Sequence, residues 1–134
     1  MGVESSEAKE TLPRPFSVAA RLRSFRHAGR GIGYFLRREH NAWIHGAATI
    51  AVIGLGVRLN VSAADWRWLI VAIAMVLAAE ALNTAFERLC DLVSPGSTEL
   101  VRTAKDVAAG AVLLLAIGAA LIGLITFAPY IFTS

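Results

Sequence analysis

Glu80, Asn83, Glu87 and Asp91 recur at spacings of three, four and four. On a helix they fall within an arc of roughly 80°, so one face carries three carboxylates and an amide. Lys105 and Asp106 follow across the breaker run Ser94-Pro95-Gly96-Ser97-Thr98. Mg²⁺ prefers carboxylate and phosphate oxygens, and a lysine neutralises phosphate as a point charge. The pattern fits a Mg–nucleotide site built on two helices joined by a short loop. Plain charge balance at a membrane edge is the alternative. Glu80 stands inside an otherwise apolar run. A carboxylate at membrane depth costs about 2.5–3.5 kcal/mol on insertion scales, so it marks function, a side chain snorkelling to the interface, or a polar clamp between helices. Upstream, Glu39, Asn41 and His45 open another apolar segment. Glu39 is the lone acid in a basic neighbourhood, where a salt bridge to Arg37 or Arg38 is the plainer reading.

Other chemistries lack their residues. There is no GxxxxGK[ST] phosphate loop and no soluble-kinase motif. No Ser/His/Asp set is placed for acyl transfer. His27, His40 and His45 lack zinc-site spacing with Cys90, and a single cysteine forms no internal disulfide.

These residues need elements to hold them, and the elements are membrane-like. The chain has 134 residues, enough for one domain, and is 56% hydrophobic, above the 45–50% or so of soluble domains. His40 to Val57, Trp68 to Ala79 and Val107 to Ser134 carry no Asp, Glu, Lys or Arg. A span needs about 20 mostly apolar residues, which predicts three spans, about 41–59, 66–86 and 104–127. The second continues as a polar extension through Asp91, and the third helix begins near Glu99 and stops before Pro129. Asp65 is a candidate helix cap, and Trp66 and Trp68 suit an aromatic belt.

Residues 1–15 read as a polar, disordered tail with no signal peptide. Residues 16–38 have helical apolar periodicity interleaved with arginine, the pattern of a helix lying in the interface. Packing of that helix on its own bundle is the plainer alternative. Gly29, Gly31 and Gly33 weaken it and predict a kink or a close backbone contact. Seven arginines lie between Arg14 and Arg38 with no acid among them. A basic segment beside a membrane helix suits anionic headgroups, and the lipid-like remainder argues against nucleic acid. The positive-inside rule places the N-terminus and the second loop in the cytoplasm and the C-terminus outside a bacterial plasma or inner membrane.

The ordered set resembles the prokaryotic diacylglycerol kinase family, which includes undecaprenol kinases. It comprises Glu80-Ala81-Leu82-Asn83-Thr84-Ala85-Phe86-Glu87, then Asp91-Leu92-Val93-Ser94-Pro95, then Ala104-Lys105-Asp106-Val107-Ala108-Ala109. Glu39-x-Asn41-x-x-x-His45 and Ser24-Phe25-x-x-Ala28-x-x-Gly31 match its N-terminal part. The resemblance covers residues 16 to 127 or so.

The resemblance implies an all-α membrane kinase domain over residues 16–134, with one surface helix and three transmembrane helices, assembled as a homotrimer with shared sites. It implies ATP as co-substrate, Mg²⁺ as cofactor and a lipid alcohol as acceptor, undecaprenol favoured over diacylglycerol. Glu80 corresponds to the general base, and Glu39 and Glu87 to the metal pair. Asn83, Asp91, Lys105 and Asp106, with Glu39 and Glu87, correspond to the ATP site. Arg23, Phe25, Gly31, Asn41 and His45, with Glu80, correspond to the lipid side. Gly96-Ser97-Thr98 departs from the Glu-Tyr-His of many members, removing a histidine that would touch the nucleotide. The rival classes are a non-enzymatic assembly or pore subunit whose polar face lines an aqueous path, and a degenerate kinase.

Overall fold

The computed structural model describes residues 17–96 and 98–132, so the expected tail over residues 1–15 lies outside them. All regular structure in the described residues is helical: α1 Val18–Arg38, α2 His40–Arg58, α3 Ala63–Val93 and α4 Glu99–Phe132. α3 is the hub. α4 packs along it, and α2 and α1 pack on it more lightly. The short α2–α3 and α3–α4 connections make antiparallel neighbours.

Local chemistry sets the boundaries. Ser17 caps α1, its hydroxyl accepting from the Ala20 N–H at 3.3 Å. Glu39 is extended and separates α1 from α2. α2 ends in a Schellman turn: the Val61 N–H bonds the Gly56 carbonyl and the Asn60 N–H that of Val57. Asn60 takes the left-handed conformation this turn needs, at φ 51°. Gly56 lies against Trp66, where a Cβ would stand 2.8 Å from two ring carbons. The cap of α3 is Ser62, which accepts from the Asp65 N–H at 3.2 Å. Asp65 therefore sits inside the first turn, where its carboxylate accepts from the Ser62 hydroxyl at 2.8 Å.

α4 does not stop before Pro129; it runs through it to Phe132. Proline removes one N–H, and so near a helix end it forfeits a single bond. The turn beyond is anchored from outside. The Tyr130 hydroxyl accepts from the Ser62 N–H at 3.0 Å and donates to Asp65 at 2.7 Å. Below this clasp Val61, Leu69 and Phe127 form the buried core.

α1 is one continuous helix, and Gly29, Gly31 and Gly33 have open space where a side chain would start. The expected kink or close contact there is absent. Val18, Leu22, Phe25 and Ile32 are exposed, and Phe35 alone of this helix is buried. The apolar stripe of α1 is thus mostly unused within the chain, contrary to packing on its own bundle.

By length and composition, α3 and α4 can each cross a membrane. α2 has 19 residues, about 28 Å of helix against roughly 30 Å of hydrocarbon, and carries two histidines and an asparagine near its start.

Candidate active site

The polar stripe of α3 meets every other helix. Glu80 is 3% exposed. Its carboxylate bonds His45 Nε2 on α2 at 3.2 Å. One turn on, Asn83 donates its amide N–H to Glu87 at 3.0 Å. That donation fixes which way the amide points, because a carboxylate accepts and never donates. Asn83 Oδ1 is then left buried without a partner among the described residues.

Glu39, at the α1–α2 junction, accepts from Arg88 at 2.7 Å. It does not pair with Arg37 or Arg38. The reason is placement: Arg88 follows the stripe on α3 and lies over the Tyr34 ring at 4.8 Å, which fixes its guanidinium beside the junction. Lys105 of α4 donates to Asp91 at 2.6 Å, so the lysine faces the acidic stripe across the short loop. Arg88 and Tyr34 are site residues that the sequence did not single out. The available signal was a lone acid, Glu39, needing a cation from a different helix.

Other expected residues stand apart. Asn41 and Asp106 are exposed and make no side-chain bond among the described residues. Arg23 and Gly31 are exposed on α1, and Phe25 is 76% exposed. Within one chain, then, these α1 residues are not gathered at Glu80. Thr98, in the loop that departs from the family pattern, has a structural task. Its hydroxyl accepts from the Val101 N–H at 3.4 Å and caps α4.

An apolar cleft of about 710 Å³ lies among α2, α3 and α4, with His45, Thr49, Val52, Ala116, Ala120 and Phe127 among its walls. Small side chains on α4 keep it open. His45 thus links the buried carboxylate to a slot suited to hydrocarbon, since it lines the cleft and bonds Glu80. Toward the other end of the stripe stand the ion pairs Arg88–Glu39 and Lys105–Asp91.

A helical chain with two membrane-length helices, a buried carboxylate bonded to a histidine in the wall of an apolar cleft, and a charged stripe beyond it has the parts of a membrane phosphotransferase. Residues 26–127 match the family described as prokaryotic diacylglycerol kinase, and the chain belongs to that family of lipid kinases. It is 40% identical over 108 residues to an undecaprenol kinase of Bacillus subtilis (strain 168), covering 81% of this chain and 88% of that protein. It is 41% identical over 103 residues to a diacylglycerol kinase of Synechocystis sp. (strain ATCC 27184 / PCC 6803 / Kazusa), covering 76% of this chain and 59% of that protein.

Proposed function

We propose that the chain transfers the γ-phosphoryl group of ATP to the primary hydroxyl of undecaprenol at the cytoplasmic face of the bacterial inner membrane. The observation that carries this reading is Glu80, buried one turn from the charged stripe and bonded to His45, which lines an apolar cleft. The lipid hydroxyl gives its proton to Glu80 as its oxygen bonds the γ-phosphorus. The bond from that phosphorus to the bridging oxygen breaks, and its electron pair leaves with ADP. The protein contributes positioning and charge neutralisation, which is most of what phosphoryl transfer needs.

Glu39 and Glu87 would hold Mg²⁺. The unpartnered Asn83 Oδ1 beside Glu87 is an acceptor of the kind a hard cation takes. Bound there, the ion supplies charge neutralisation to the phosphates. Glu39 must then exchange Arg88 for the metal, which frees the guanidinium for phosphate. Lys105, Asp91 and Asp106 complete the nucleotide side. Arg23, Phe25, Gly31, Asn41 and His45 belong to the lipid side. α1 lies on the bilayer with its unused apolar stripe in the acyl boundary, and α2 is the third span. A homotrimer would bring α1 of one copy toward the site of another, while Glu80 is already enclosed within its own chain.

Undecaprenol is favoured because the cleft is a single slot, which suits one slim isoprenoid tail better than two acyl chains on a glyceride. The greater share of the undecaprenol kinase covered by the match supports the same choice. The test is kcat/KM for both lipids in the same mixed micelles with labelled ATP. A tenfold advantage for diacylglycerol, about 1.4 kcal/mol in transition-state binding, would reverse the choice of acceptor. Absence of transfer to any lipid alcohol would reject the kinase reading.

A further inference from the structure

We infer that His45 is the positioning residue for Glu80: its Nε2–H holds one carboxylate oxygen and leaves the other aimed at the lipid hydroxyl. The inference rests on the reading of Glu80 as the base and refines the place given to His45 on the lipid side.

Glu80 has a side-chain exposure of 4%, and its bond to His45, at 3.2 Å, crosses between α2 and α3. A carboxylate acting as a base is ionised and has no proton to give, so the hydrogen in that contact comes from the imidazole. This sets the tautomer: Nε2 carries hydrogen toward Glu80 Oε1. Oε2 remains for the substrate. Ala116, Ala119 and Ala120 also line the cleft and have no side-chain donor to offer in place of the ring. The other polar side chain lining the cleft, Thr49, spends its hydroxyl on the His45 carbonyl at 2.7 Å.

The His45 side chain is 22% exposed and that of Glu80 4%, so the contact is held within the packed helices. Without it the carboxylate is free to turn about its last torsion, a broad well with no staggered preference. A base misplaced by about 1 Å loses on the order of 10²-fold in rate. The effect of His45 therefore passes entirely through Glu80. A histidine that bound lipid directly would act even with the base removed.

The test is a double-mutant cycle on the full chain in mixed micelles of undecaprenol with Mg–ATP. His45→Ala should lower kcat by about 10²-fold and leave the KM for ATP within about twofold. Glu80→Gln should be slower still, and Glu80→Gln/His45→Ala should be no slower than Glu80→Gln alone. His45→Gln, whose amide N–H reaches as the ring does, should recover most of the rate. His45→Asn, equally polar but shorter, should not; this pair carries the test if the alanine variant does not fold. Losses that multiply in the cycle, or equal rates for the Gln and Asn variants, overturn the inference and leave the base intact. Near-normal turnover of Glu80→Gln overturns the base reading itself.

Discussion

Replacing Gly56 with valine adds three carbons where the structure has no room for the first. A Cβ there stands 2.8 Å from Trp66 Cη2 and Cζ2 and 3.5 Å from Cε2. Ordinary contact between carbons begins near 3.5 Å, so the ring must retreat by roughly 0.6–0.7 Å. It retreats into Val61, Leu69 and Phe127, the buried core it packs against. Overpacking of this kind costs about 1–3 kcal/mol. Helix propensity returns a few tenths for valine and about 1 kcal/mol for alanine. The expected net loss is about 2 kcal/mol for Gly56→Val and about 1 or less for Gly56→Ala. Trp66→Phe removes the two clashing carbons, so Gly56→Val should cost about 1 kcal/mol less in the Trp66→Phe background. Reversible unfolding of the five proteins in the same micelles measures these quantities. Gly56→Val as stable as the parent, or equal costs in the two backgrounds, would refute the packing argument.

Three further outcomes are expected. Glu39→Gln and Glu87→Gln should raise the Mg²⁺ concentration for half-maximal activity several-fold more than they raise the lipid KM; unchanged Mg²⁺ curves in both would remove the metal pair. Tyr130→Phe deletes two hydrogen bonds, one to a carboxylate, and should cost about 1–2 kcal/mol by the same unfolding assay while kcat holds, since the clasp is far from Glu80. In a Cys90→Ala background, Ser134→Cys should label from outside intact cells and Ser6→Cys should not; the reverse would put the nucleotide stripe on the wrong side of the membrane for ATP.

Much of this was legible in the sequence because both signals were periodic. The 3, 4, 4 spacing of Glu80, Asn83, Glu87 and Asp91 fixed a helix face, and the uncharged runs fixed the long helices. Lys105 was placed opposite that face by a loop too short to allow much else, and the structure has it bonded to Asp91. What periodicity does not carry is partner choice between helices. Glu39 found Arg88, 49 residues away, in preference to its chain neighbours. The end of α4 was misjudged for a related reason. Pro129 is a local stop signal, and Tyr130, one residue on, cancels it through Ser62 and Asp65. The three glycines of α1 were read as a defect, yet the helix is unbroken where nothing crowds it. Thr98, which stands where many members have a nucleotide-contacting histidine, caps α4.

α1 is held at one end. Phe35 is buried, Tyr34 lies under Arg88, and the Trp43 indole donates to the Leu36 carbonyl at 2.8 Å, whereas Val18, Leu22 and Phe25 touch little. Mechanically this is a cantilever. From Val18 to Gly33 it is about 24 Å long, and its root is the junction where Glu39 meets Arg88. A small tilt of the free end becomes torque at the root, beside the carboxylate assigned to the metal. A contact anywhere along the free arm is therefore felt as a load at the Glu39–Arg88 ion pair, a lever's length away.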